Sequence, residues 1–97
     1  MPTYALTDRF KREYAKLTPE QKAAFKVAVQ RLVADLKAGR GFRNSRRIKR
    51  VRVVEGVYEM TWAPDGRATF EFGASIRADQ VHVIWRRCGT HDILAAP

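Results

Sequence analysis

Ala63-Pro64-Asp65-Gly66 leaves only four residues between two segments that alternate apolar and polar side chains. A connection that short permits only antiparallel neighbours. Proline presets φ and glycine accepts a positive φ, so the turn has a physical mechanism. On one side of it, Val57 to Trp62 sets Tyr58, Met60 and Trp62 on one face. On the other side, Arg67 to Phe72 sets Ala68, Phe70 and Phe72 on the same face. Glu55-Gly56 makes a further turn, preceded by Arg46 to Val54, where Val51 and Val53 alternate with Arg50 and Arg52. Val81 to Arg87 reads as the last strand, with Val83 and Trp85 inward and His82 on the opposite face. Trp62 and Trp85 read as core, and Cys88 as a small packed residue.

The first half follows a different period. Thr3 to Leu6 alternates and predicts a short strand, and Thr7-Asp8 can cap a short helix carrying Phe10, Tyr14 and Leu17 on one side. Thr18-Pro19-Glu20-Gln21 is a helix start: threonine as N-cap, proline at the first helical position, glutamine closing a capping box. Phe25, Val29, Leu32 and Leu36 then recur at helical spacing, widened by Ala28 and Val33, and Gly39 marks the stop. Gly39 to Ser45 reads as a loop. The predicted fold is α+β and two-layered. An N-terminal strand and a two-helix hairpin pack on a curved, mainly antiparallel sheet of four to five strands, leaving the other face open. Residues 1–97 read as one domain.

Charge narrows the function. Lysine and arginine number 19 against 10 acids, for a net charge of +9. Such an excess implies an anionic partner. Thirteen of the cations are arginines, whose planar fork suits phosphate. The outer sheet face should carry Glu59, Thr61, Arg67, Thr69, Glu71, His82, Ile84 and Arg86, joined from the edge by Arg50 and Arg52. Glu59 and Glu71 are expected close together there, with Arg67 or Arg52 between them, so that these carboxylates orient an arginine. The run Arg46, Arg47, Lys49, Arg50 and Arg52, with Arg87, is a candidate phosphate track. It is equally a landing site for an acidic protein.

No run of about 20 apolar residues is present to span a bilayer. No basic, apolar leader opens the chain, so the cytoplasm is the expected compartment and no membrane role is expected. A single cysteine excludes an internal disulfide and a multi-thiolate metal site. No metal and no cofactor are expected.

Gly56-Val57-Tyr58-Glu59-Met60-Thr61-Trp62, the Asp65-Gly66-Arg67 turn and the ending Gly89-Thr90-His91-Asp92-Ile93-Leu94 resemble the RelE/ParE superfamily of toxin–antitoxin toxins, and its YafQ-like members in particular. The resemblance spans the layout of nearly the whole chain, and Gly-Thr-His is its most specific piece. It implies an mRNA endonuclease that acts with the ribosome, inhibits translation and is held inactive by a cognate antitoxin. His91 then stands at the position of the catalytic histidine and Asp65 at an aspartate of the same site. Arg67 stands at a recurring phosphate-stabilising arginine. Thr61 departs from the pattern, since YafQ-like members carry a further histidine there. The tyrosine that RelE uses near its end is also absent.

The residue chemistry is consistent with that class. RNA cleavage by the substrate's own 2′-hydroxyl requires proton transfer and stabilisation of charge at phosphorus. Histidine serves the first, and fixed arginines the second. His91, Arg67 and Arg86 are expected to converge, with Asp65 orienting His91 or acting as a base. Two alternatives stay open: a ParE-like toxin acting on DNA gyrase, and a non-catalytic RNA-binding member of the fold.

Overall fold

A computed structural model describes residues 3–38 and 48–97. Its elements run β1 (Thr3–Leu6), α1 (Asp8–Ala15), α2 (Pro19–Lys37), β2 (Ile48–Arg50), β3 (Val57–Thr61), β4 (Gly66–Gly73) and β5 (His82–Thr90), then a 3₁₀ turn at His91–Ala95. The five strands form one sheet in the order β1-β5-β4-β3-β2. The short turns make β2 to β5 antiparallel, while β1 lies parallel to β5, from Thr3 opposite His82 to Leu6 opposite Trp85. The predicted two-layer α+β architecture is the one observed.

Local chemistry sets the helix starts. Thr7 accepts from the Phe10 amide at 3.1 Å and donates to the Arg86 carbonyl at 2.9 Å, tying the first turn of α1 to β5. Thr18 and Gln21 form the reciprocal capping box, with bonds of 2.8 and 3.2 Å. Helix α2 ends at Lys37 with Ala38 as its cap. Gly39, and the loop read from Gly39 to Ser45, lie outside the described residues.

Both helices cover the inner face of the sheet. Phe10, Phe25, Ala28 and Leu32 pack against Met60, Trp62, Ala68, Phe70, Val83, Trp85 and Cys88 in one buried cluster. The Phe25 ring meets Trp62 and Trp85 edge-on at 6.3 and 5.4 Å, so one helical side chain bridges two strands. Phe70 and Ala68 are wholly buried. Burying a side chain of phenylalanine size stabilises by about 2–3 kcal/mol, so the centre of β4 anchors both layers. Phe72, expected to face inward beside them, is 39% exposed and packs on Tyr58 and Phe70 at the sheet's margin.

Three expectations are corrected. The segment read as a strand from Arg46 to Val54 is a strand only over Ile48–Arg50. Val51 closes the turn through its amide to the Val57 carbonyl at 2.8 Å, and Val53 is 67% exposed rather than inward. The last strand runs on to Thr90, three residues past its predicted end, because Gly66, Arg67 and Ala68 of β4 pair with Thr90, Gly89 and Cys88. The outer face is also not wholly open. The 3₁₀ turn folds back over it, burying Ile93 and Pro97 and leaving Thr69 with no exposed surface.

Candidate active site

The β4–β5 register decides which side chains meet. Gly66 stands opposite Thr90, so the residue before one and the residue after the other share one end of the sheet. Those residues are Asp65 and His91. The turn is pinned by the Gly66 amide donating to the Ala63 carbonyl at 3.0 Å and by the Trp62 amide donating to the Gly66 carbonyl at 3.1 Å. Glycine is required at 66 for a reason other than the expected positive φ, which among the described glycines only Gly56 adopts, at 80°. A Cβ at Gly66 would lie 2.6 Å from the Trp62 ring. The backbone is pressed against the indole, and only a residue without a side chain fits.

His91 Nδ1 lies 2.5 Å from Asp65 Oδ1. An ionised carboxylate can only accept, so the shared proton belongs to Nδ1. Nε2 is thereby the nitrogen left for chemistry; Asp92 Oδ1 stands 3.6 Å from it. Both His91 and Asp65 side chains are 63% exposed, so the pair sits at the surface where a polymer can reach it. The Asp65 hydrogen bond, then its charge and that of Asp92, raise the His91 pKa above its ordinary value. The same hydrogen bond holds Asp65 below its ordinary value, helped by the charges of His91 and Arg67. Asp65 is therefore a weak base that orients an imidazole kept more fully protonated.

Arg67 is the second residue of β4. Its Nη1 donates to the carbonyls of Ala63, Pro64 and Gly66 at 3.3, 3.3 and 3.0 Å. The guanidinium thus braces the turn that carries Asp65 and places fixed positive charge beside the pair.

The structure resembles RelE in the RelB–RelE antitoxin–toxin complex of Methanococcus jannaschii (TM-score 0.60, 11% identity, 93% of each chain covered). The chain has the RelE fold. It is similar also to a chain of the RelBE2 toxin–antitoxin complex of Mycobacterium tuberculosis (TM-score 0.52, 20% identity, 94% of this chain and 100% of that one). A third similar structure is YafQ from E. coli strain BL21(DE3) (TM-score 0.52, 11% identity, 97% of this chain and 98% of that one). No protein-family model matches the sequence, nor does any curated protein.

Within this RelE fold, Arg86 does not converge with His91 and Arg67. It stands four positions before Thr90 on β5, about 13 Å at the usual rise. Its Nη1 meets Glu71 Oε2 at 3.0 Å. Glu71 therefore does hold an arginine, but the arginine is Arg86 rather than Arg67 or Arg52. Glu59 stands opposite Thr69 on one side and Lys49 on the other. Glu71 is opposite Val57, so the two glutamates share the outer face without facing each other.

The proposed cation track is divided. Lys49 lies on the outer face, but Arg50 pairs with Tyr58 and so belongs to the inner-face side of the sheet edge. The cause is Ile48, which is buried opposite Met60 and sets the alternation one residue away from the expected one. Arg52 is exposed in the turn after β2. Arg46 and Arg47 lie outside the described residues. Arg87 is gripped by Glu13 of α1, with Nη2 to Oε2 at 2.7 Å and Nε to Oε1 at 3.2 Å. Sequence reasoning missed Glu13. Its only signal is a carboxylate in α1 on the side facing β5, which needs the tertiary arrangement to be seen. Cys88 is not a candidate nucleophile, because burial pushes its thiol up to about 12.

Proposed function

We propose that this protein is the toxin of a type II toxin–antitoxin pair and an endoribonuclease that cleaves mRNA on the ribosome, inhibiting translation. The observation that carries the reading is the Asp65–His91 hydrogen bond beside Arg67, at an exposed end of a RelE-fold sheet. The +9 net charge supports a polyanionic substrate.

In the proposed reaction the substrate's 2′-oxygen attacks the adjacent phosphorus and its proton passes to water. The bond from phosphorus to the 5′-oxygen breaks, and His91 Nε2 gives its proton to that oxygen. The products are a 2′,3′-cyclic phosphate and a 5′-hydroxyl end. Asp65 holds Nδ1 and raises the His91 pKa, which favours the imidazolium form. Arg67 stabilises the extra negative charge at phosphorus. The nucleophile belongs to the substrate, so this route calls for no metal or organic cofactor.

Two of the similar structures are complexes with antitoxins. By the same reading, a cognate acidic antitoxin silences this protein by covering its cationic surface.

The test is purified protein incubated with mRNA, with and without ribosomes, followed by analysis of the ends formed. Cyclic phosphate ends that depend on His91 support the reading. RNA bound but left intact under both conditions would reduce the protein to a binding member of the fold.

A further inference from the structure

The turn that carries Asp65 lies against an aromatic ring that takes no part in the proposed chemistry. A Cβ added at Gly66 would stand 2.6 Å from Trp62 Cδ2, 2.7 Å from Cε2 and 2.8 Å from Cε3. Cδ2 is a ring-fusion carbon with bonded carbons all around it in the plane, so an atom that near to it approaches across the face of the ring. The Gly66 backbone therefore rests on the face of the indole. Two main-chain bonds close the same turn, from the Trp62 amide to the Gly66 carbonyl and from the Gly66 amide to the Ala63 carbonyl. Asp65 is the residue before Gly66, and its carboxylate holds Nδ1 of His91 at 2.5 Å.

The helix layer fixes the indole in turn. Phe25 of α2 meets it edge-on at 6.3 Å and packs itself on Phe10, Tyr14 and Trp85. Beside this contact a groove of about 400 Å³ runs between Ala24, Val27 and Ala28 of α2 and Ala63 and Pro64 of the turn. The small helical side chains leave that space open, so the indole is the bulky group that carries packing from α2 to the turn. Trp62 is 8% exposed, and its Nε1 is buried with no hydrogen-bond partner among the described residues. A buried donor without a partner costs stability, and a phenylalanine would avoid that cost. What the indole offers beyond a phenyl ring is a broader flat surface, and the Gly66 backbone lies on it.

We propose that Trp62 is a positioning residue for the Asp65–His91 pair: its ring is the platform that fixes the backbone of the turn and so aims the Asp65 carboxylate at Nδ1. The proposal rests on the ribonuclease reading for the reaction it serves. Both members of the pair are 63% exposed, and an exposed pair gains little from its own attraction. Its geometry has to come from the backbones that carry it. Arg67 braces the turn from the outer face through the Ala63, Pro64 and Gly66 carbonyls, and the indole supports it from the inner face. The charged groups that face His91 are Asp65, Asp92 and Arg67. Trp62 carries no charge. A change at 62 therefore reaches the His91 proton only by moving those groups, which a loss of stability alone does not do.

The test is an NMR titration of the two histidine side chains in the full chain, comparing wild type, Trp62→Leu and Leu32→Ala. His91 is assigned by the signal that His91→Ala loses, and His82, at the other end of β5, is the internal reference. Leu32 is buried in the same core but borders the β1 side, with Val83. In Trp62→Leu the His91 midpoint should fall toward 6.5, while His82 keeps its own and Leu32→Ala leaves both in place. Cleavage by Trp62→Leu should lose about tenfold or more in kcat with KM within about twofold, because the pair is misaligned and the cationic surface is untouched. Trp62→Phe, flat but narrower, should lie between wild type and Trp62→Leu, and it decides the question alone if the leucine variant does not fold. A His91 midpoint that stays or rises, an equal fall in Leu32→Ala, or a loss of cleavage confined to KM would overturn the proposal. The titration needs no RNA. Wild-type protein that leaves mRNA whole would therefore end the ribonuclease reading, while the titration still decides whether Trp62 aims the pair.

Discussion

Asp65 and His91 are 26 residues apart in sequence, yet Asp65 Oδ1 accepts a hydrogen bond from His91 Nδ1. The antiparallel pairing of Gly66 with Thr90 brings them together. The carboxylate fixes the imidazole's tautomer and raises its pKa, and both effects fit a histidine that gives up a proton from Nε2.

Asp65→Asn tests that coupling through pH. A general acid must be protonated, so cleavage is lost as pH rises through the His91 pKa. Asparagine removes the charge and the hydrogen bond that raise it. The alkaline limb of kcat/KM should therefore move to lower pH, with a lower plateau from the lost tautomer control. An unmoved limb would assign the titration to another group. The effect on folding should be small, because both side chains are 63% exposed and solvent-screened. Its sign is fixed. The raised histidine pKa gives stabilisation that is complete below the ordinary value of 6.5 and lost as pH rises through the folded one. The lowered Asp65 pKa gives stabilisation present above 3.8 and lost as pH falls through the folded value.

Arg67→Ala should lower cleavage by about 10²–10³-fold, the usual cost of removing a fixed donor to a charged transition state. Because Nη1 also braces three carbonyls of the turn, a modest loss of stability should accompany it. Thermal melting beside single-turnover cleavage separates the two. Arg67→Lys should recover only part of the rate, since an ammonium lacks the planar fork.

Gly66→Ala should destabilise by about 1–3 kcal/mol. The added methyl would meet the Trp62 ring at 2.6–2.8 Å, and the indole is itself packed on Phe25. Denaturant unfolding measures the loss. A neutral result would show that the turn and the indole separate easily.

Glu13→Gln should loosen Arg87, whose side chain is only 16% exposed. The pair is charge-assisted and two-pronged, and a loss of about 1–2 kcal/mol is expected from its geometry. A guanidinium stays charged with or without a carboxylate beside it, so the readout is stability.

The elements whose signals are local were legible in the sequence. The Thr18–Gln21 capping box, the Thr7 cap and the Ala63–Gly66 turn each depend on neighbours within a few residues; both caps form as expected, and the turn forms where expected but without the positive φ read for Gly66. The outer-face set Glu59, Thr61, Arg67, Thr69 and Glu71 also followed from alternation alone. What failed depends on distant partners. A β-bulge at Arg86 has no marker in Trp85-Arg86-Arg87-Cys88, and the tail's return over Thr69 is decided by where Ile93 finds apolar cover. Ile48, not the more conspicuous Val51 and Val53 alternation, fixed the edge strand because it found the place opposite Met60. His91 and Asp65 were picked out by resemblance to a family; composition alone would have passed over a histidine that follows a threonine at a strand's end.

The central claim is that His91 cuts RNA, and the most direct measurement is induced expression of wild type beside His91→Ala, with growth and mRNA 5′ ends followed together. Growth arrest with new internal 5′-hydroxyl ends, both lost in folded His91→Ala, is the predicted result. The purified variant should fall by about 10²–10⁴-fold in cleavage. Arrest without new ends that persists in His91→Ala would contradict the account and point to a target other than RNA.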